Sequence, residues 1–197
     1  MSRHEFGGEV EITGGEFRGR RLVTPGATTH PMGSREKLAI FNALTGPLEG
    51  ATVLDAYAGS GALGLEALSR GAESVTFIDK APGARRAIKH SIAELGVEEE
   101  CELMPMRVEE YAQLNCPPGG PRPSNLYVME KFDIIFADPP YDDFDPRGVD
   151  DISYYLKPGG VLVLSHPGPA PEFYWLDLEK TRKYAGAHVS FYRKIKY

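Results

Sequence analysis

"LDAYAGSGALGLEAL" (residues 54–68) is the stretch on which the fold turns. Gly59, Gly61 and Gly64 match G-x-G-x-x-G, a spacing that says little alone. Here it follows the short apolar run "ATVLDAYA" and opens the helical pattern "ALGLEALSRG", so it reads as a strand, a tight turn and a helix. Glycine lets the backbone turn sharply there and approach a ligand closely. Downstream the rhythm repeats: "SVTFID" and "APGARRAIKHSIAELG", "CELMPM" and "VEEYAQL", "FDIIFAD" and "VDDISYYL", then "GGVLVLSH". Strands alternating with helices predict a parallel sheet covered on both faces. The tail departs from this pattern. "EFYWLDLEKTRKY" and "HVSFYRKIKY" flank "AGA" with no room for a helix, which predicts an antiparallel pair closing the sheet. In the last run Val189, Phe191 and Ile195 fall on one face, and Ser190, Lys194 and Lys196 on the other.

Upstream, "EVEITGGEFRGRRLVTP" predicts a hairpin around Gly14-Gly15. Ser34 can cap a helix through "REKLAIFNAL", with Leu38, Phe41 and Leu44 at helical spacing and Gly46-Pro47 ending it. The "NCPPGGPRPSN" segment (residues 115–125) is too rich in proline and glycine for regular structure and reads as a surface loop.

The bulk composition suits one globular chain. At 197 residues, 42% apolar and 25% charged, a core can form and global disorder is excluded. No apolar run approaches 18 residues, so no membrane span is expected, and the start lacks the apolar stretch of a signal peptide; a cytoplasmic location is expected. Cys101 and Cys116 have no metal or redox spacing, and the five histidines form no ligand pattern, so no metal is expected. The net charge is −6, but it is uneven. Between residues 16 and 37 lie five basic side chains (Arg18, Arg20, Arg21, Arg35, Lys37) and two acidic ones. Between residues 178 and 197 there are six (Lys180, Arg182, Lys183, Arg193, Lys194, Lys196) against one. Basic ends around an acidic middle suggest a polyanionic partner.

The glycine turn permits two readings. In a dinucleotide site the helix N-terminus holds a pyrophosphate. Here the carboxylate of Asp55 ends the strand just before the turn, and it suits an ammonium better. S-adenosylmethionine carries an α-amino group and a sulfonium, both cationic, and no phosphate. Asp79, closing "FIDK", can accept from two ribose hydroxyls of either cofactor. The fourth strand stops at "DPPY". Proline locks its own φ, lacks an N–H and drives the preceding residue from the helical region. Asp138, Pro139, Pro140 and Tyr141 therefore form a stiff corner at the sheet edge that carries Asp55 and Asp79. Such a corner suits an exocyclic base amine, whose lone pair is delocalised into the ring. The Asp138 carboxylate and the Pro139 carbonyl can hold the amine, and Tyr141 can stack on the base. A base inside a helix must be unstacked to enter.

In their order, "LDAYAGSGALGLEALSRGA" and "DPPY" resemble the class I methyltransferases of base amino groups. "GGEFRGRRL", "REKLAIFNAL" and "AGAHVSFYRK" extend the resemblance to the RsmD family, over roughly residues 14–194. The family implies a Rossmann-like, seven-stranded, mostly parallel sheet with an antiparallel last strand, plus an N-terminal β-hairpin. It implies S-adenosylmethionine as methyl donor and N2 of a guanine in 16S ribosomal RNA, or in the small ribosomal subunit, as acceptor. The cofactor set it implies is Asp55, Tyr57, Gly59, Ser60, Gly61, Gly64, Asp79, Lys80 and Arg107. The RNA-contacting set is Arg18, Arg20, Arg21 and Arg35, with residues 1–33 as an RNA-contacting extension of a methyltransferase domain over 34–197, acting as a monomer. Two departures stand out. "HPM" (His30, Pro31, Met32) replaces the family's R-P-T, and Met106 or Arg107 stands where an acidic or amide residue meets the adenine. Rival readings are a DNA adenine-N6 methyltransferase, a dinucleotide-dependent oxidoreductase, and a non-catalytic RNA-binding module.

Overall fold

The computed structural model describes residues 6–26, 32–44, 48–114, 131–184 and 187–196. A hairpin of β1 (Gly8–Glu11) and β2 (Arg21–Thr24) precedes helix α1 (Ser34–Ala43). The alternating stretch follows: β3 (Thr52–Ala56), α2 (Ala62–Ser69), β4 (Ser74–Ile78), α3 (Pro82–Leu95), β5 (Cys101–Met104) and α4 (Val108–Gln113). It continues through β6 (Phe132–Ala137), α5 (Pro146–Ser153) and β7 (Leu156–His166), and the chain closes with β8 (Leu176–Tyr184) and β9 (Ala187–Lys194). The main sheet has seven strands in the order β5-β4-β3-β6-β7-β9-β8. β3 to β7 run parallel, and β9 is antiparallel to both of its neighbours. This is the mostly parallel sheet with an antiparallel last strand that the alternation predicts.

Each face of the sheet carries a core. Val53, Phe77, Phe136 and Phe191 point to one side, under α1, α2, α3 and the hairpin; Leu54, Ile78, Ile135 and Leu162 point to the other, under α4 and α5. Strand order reverses between β3 and β6, and a crevice for ligands opens beyond the carboxyl ends of strands at such a point.

The helix α1 is turned by one residue from its expected face. Lys37, Ile40 and Phe41 are buried, whereas Leu38 is 42% exposed. Its N-cap is Gly33 rather than Ser34, and the Gly33 N–H donates to the Glu36 carboxylate at 2.6 Å. The rotation has an electrostatic cause. The Lys37 ammonium lies 3.2 Å from Glu66 of α2, with both side chains fully buried, and it donates to the Glu11 carbonyl at 2.6 Å. Glu66 also accepts from Thr13 N, Thr13 Oγ1 and the Arg70 guanidinium at 2.6 to 3.0 Å. A carboxylate inside a protein persists only when its oxygens are met in this way. One buried node thus ties the hairpin, α1 and α2 together.

The face of β9 expected to be polar is covered at Ser190 and Lys194, while Lys196, past the strand, is exposed. Lys194 is 2% exposed because its ammonium donates to the Tyr154 and Leu156 carbonyls at 3.1 and 2.6 Å. Gly46 and Pro47, expected to end the helix, His30 and Pro31, residues 115–125 with Cys116, expected to be a loop, and residues 185–186 lie outside the described residues.

Candidate active site

The turn after β3 is shaped by two glycines with different tasks. Gly61 caps α2 with φ of 73°, in the left-handed region that side chains avoid. Gly64 faces β4. A Cβ there would lie 2.4 Å from a ring carbon of Phe77 and 2.7 Å from Val75 Cγ1, so the missing side chain lets α2 sit close on the sheet. Gly64 was expected among the cofactor contacts; the structure turns it inward, where its N–H donates to Asp55 Oδ2 at 2.8 Å. Asp55 is 2% exposed. Burial pushes its carboxyl well above the usual range against the Gly64 hydrogen bond, and the nearby Asp138 and Asp79 carboxylates push the same way. Tyr57, two residues on, has φ of 61°, the only such value at a non-glycine among the described residues. Strain of this kind persists where surrounding contacts hold it and clusters at functional sites. Gly59, also left-handed with φ of 56°, and the buried Ser60 complete the turn.

Asp79 lies just past β4 and ties the neighbouring loops. One oxygen accepts from Gly59 N and the other from Ala81 N, each at 2.8 Å. Lys80 follows it and is exposed. Arg107 lies beyond β5 as the exposed N-cap of α4, its N–H donating to Glu110 at 3.1 Å. The loops after β3, β4 and β5 therefore bring the expected cofactor residues to one rim.

The double-proline corner opens on the same rim. β6 pairs with β3 in register, Phe136 beside Asp55 and Ala137 beside Ala56, so Asp138 leaves the sheet next to the turn that leads to Gly59. Pro139 is buried, Pro140 is exposed, and Tyr141 begins a single 3-10 turn. Burial raises the Asp138 carboxyl above its ordinary value; a Ser165 hydrogen bond opposes this, and the Glu36 carboxylate adds to it. The Tyr141 hydroxyl is raised too, first by burial, and it shares a 2.6 Å hydrogen bond with Ser165 Oγ. Ser165 ends the apolar run of β7. It joins Asp138 and Tyr141, and sequence reasoning overlooked it. The available signal was the one that marks Asp55 and Asp138: a polar residue closing a buried strand at its carboxyl end. Glu36, on the first turn of α1, was overlooked as well, and it places that helix start beside the corner.

The expected RNA-contacting arginines do not converge. Arg35 is exposed in the first turn of α1. Arg18, Arg20 and Arg21 belong to the end of the hairpin packed at the opposite rim. There Gly14 accepts from Ser69 Oγ, Glu16 N donates to the Ser69 carbonyl, and Arg20 donates to the Glu94 carbonyl at 2.8 Å. Ser69 ends α2 and Glu94 is next to last in α3, and both helices start at the Asp138 rim. The 14 residues of α3 span about 21 Å. Arg21, where β2 begins, pairs with Glu9 at 3.3 Å.

The family model described as Conserved hypothetical protein 95 matches residues 10–193. "Ribosomal RNA small subunit methyltransferase D" of Haemophilus influenzae is 35% identical over 183 residues, covering 88% of this chain and 89% of that protein. The Escherichia coli protein of the same name is 32% identical over 139 residues, covering 70% of this chain and 63% of that one. Among solved structures, yhhF from Escherichia coli superposes with a TM-score of 0.80 at 23% identity, covering 96% of this chain and 100% of that chain. The chain belongs to the Conserved hypothetical protein 95 family, the RsmD family of methyltransferases.

Proposed function

We propose that this protein transfers a methyl group from S-adenosylmethionine to the exocyclic N2 amine of a guanine in small-subunit (16S) ribosomal RNA, in the cytoplasm. The observation that carries the reading is the adjacency of the Asp138 corner and the glycine turn across the in-register β3–β6 pair. The names of the relatives support the RNA class.

Three carboxylates, Asp55, Asp79 and Asp138, gather at this edge, a donor set that fits a cationic cofactor and repels a pyrophosphate. S-adenosylmethionine supplies an electrophilic methyl on a positively charged sulfur. Asp55 would hold the ammonium side, and a cation there restores the ionised carboxylate that burial disfavours. Asp79, already positioned by Gly59 N and Ala81 N, has lone pairs left for ribose hydroxyls. Tyr57, Gly59, Ser60, Gly61, Lys80 and Arg107 would line the remainder, and Gly64 acts through Asp55.

The amine is addressed by the corner. The Asp138 carboxylate and the Pro139 carbonyl accept from its two N–H groups, which orients the nitrogen lone pair toward the incoming carbon. The prolines keep both acceptors fixed, so little reorganisation accompanies reaction. The bound donor would give its methyl to the amine nitrogen in exchange for one N–H proton, and the Asp138 carboxylate, which would already accept from that N–H, could take the proton. Ser165 donates to Asp138 and fixes the Tyr141 hydroxyl, which leaves the ring free to stack on the purine.

The test is transfer of labelled methyl to small ribosomal subunits, followed by digestion to nucleosides. Label in N2-methylguanosine supports the reading. Label in N6-methyladenine, or transfer to DNA alone, overturns the substrate assignment. Binding of NAD with no response to S-adenosylmethionine overturns the chemistry.

A further inference from the structure

Six basic residues between positions 178 and 197 have no part in the mechanism above. Their partners separate them. Lys180 donates to the Ala43 carbonyl and lies 4.9 Å above the Phe191 ring. Arg193 is tied to Glu179 at 2.5 Å and to the Gly159 carbonyl at 2.9 Å. Lys194 is buried against two carbonyls, and Lys196 lies beside Gly159 at the start of β7, on the rim far from Asp138. Arg182 and Lys183 are left, both exposed and without a hydrogen bond or ion pair to a described residue.

Topology places this remaining pair. β9 is antiparallel to both neighbours, so β8 runs in the direction of β7 and its final residues reach the catalytic rim. Ser165 of β7 is opposite Val189 of β9, and Val189 is opposite Arg182 of β8. Residues directly opposite one another share a face. Arg182 therefore stands on the face of Ser165, two strand spacings or about 10 Å away. Arg35 opens α1 on that same face, beside Glu36. Lys183 follows on the other face, opposite His188.

We propose that Arg182, assisted by Lys183, grips the phosphate backbone of the RNA strand next to the target nucleotide. The inference rests on the reading of the substrate as RNA. An unstacked base seated on Tyr141 draws its flanking phosphates to within a few ångströms of the rim. Arg182 is the cation that the sheet register puts level with Ser165 on the same face, two strands away. A guanidinium holds a phosphate through two parallel N–H bonds, whereas the Lys183 ammonium acts as a point charge.

The experiment compares wild type, Arg182→Glu, Arg182→Lys and Arg18→Glu on small ribosomal subunits from cells lacking the protein, over a range of salt. S-adenosylmethionine affinity and melting temperature are measured alongside. Arg182→Glu is expected to raise KM for the subunits about tenfold and to lower the salt slope of binding by about one, with kcat within about twofold. Arg182→Lys should recover most of the loss, and Arg18→Glu should act more weakly than Arg182→Glu. A fold defect would move the melting temperature and cofactor affinity, and would leave the salt slope alone. Wild-type KM and salt slope in Arg182→Glu overturn the grip while the function stands. Subunits left unmethylated by the wild type overturn both.

Discussion

An aspartate lies near each end of β6, Asp133 inside the strand and Asp138 just past it, and the two could hardly differ more. Asp133, near its start, accepts from Thr52 N, Thr52 Oγ1 and Lys157 Nζ at 2.8 to 2.9 Å. Burial pushes its carboxyl up, but those hydrogen bonds outweigh burial and hold it below the usual range. Asp138, about 17 Å further along, is raised instead, by burial and by Glu36. A carboxylate whose partners all belong to the fold serves stability. One kept in an unfavourable state, within the field of another carboxylate, fits the ligand-facing role proposed for Asp138. The same contrast separates the two rims: ends of strands and starts of helices at one, closed ion pairs and the hairpin tip at the other.

Substitution of the two aspartates is the strongest test of that contrast. Asp138→Ala should lower kcat by a hundredfold or more while cofactor affinity and melting temperature change little. Asp133→Ala should do the reverse, lowering stability by about 1 kcal/mol with turnover at 25 °C within about twofold, since the site is partly exposed. Methyl-transfer kinetics and thermal melting of both variants decide it. Equal loss of activity in both would erase the distinction between the rims.

Acidity sharpens it further. In the proposed reaction Asp138 would have to be ionised to accept from the amine, and its folded value is raised. Activity should therefore fall, as the pH drops, at a point above the ordinary aspartate value of about 3.9. Ser165→Ala removes a hydrogen bond that favours the carboxylate, so the acid limb of kcat should move to still higher pH. An unmoved limb would remove Ser165 from the site. For Asp133 the sign is opposite. Its contribution to stability is present above about pH 3.9 and disappears as the pH falls through its lower folded value. The difference in melting temperature between Asp133→Ala and wild type should shrink in acid.

The smallest expected effect concerns Tyr141. Read as a stacking platform alone, Tyr141→Phe would be silent. The 2.6 Å contact with Ser165 predicts a loss of a few fold in kcat, with the ring still in place and KM nearly constant. Tyr141→Ala, which removes the ring, should raise KM as well.

What could be read from the sequence follows from how local each signal is. Apolar runs closed by Asp55, Asp79 and Asp138 gave the strands and the rim together, because in a parallel sheet every such end lies on one edge. The glycine turn and the prolines act through their own φ angles, so neighbouring residues sufficed. Lys37 was out of reach, because a lysine in a helical pattern reads as exposed until its partner on α2 is known. Ser165 had the right position but nothing local to distinguish it from a strand-end hydroxyl. The basic residues were visible as charge. Which end of the sheet each occupies depends on the hairpin packing along α2 and α3, and on β9 inserting between β7 and β8.

The central claim is that the Asp138 corner methylates a guanine amine. Its most direct test is nucleoside mass spectrometry of small-subunit ribosomal RNA from cells lacking this protein, carrying either the wild-type gene or Asp138→Ala. The account predicts that one N2-methylguanosine disappears without the protein, returns with the wild type and stays absent with Asp138→Ala. An unchanged N2-methylguanosine content on loss of the protein, or full recovery with Asp138→Ala, would contradict it.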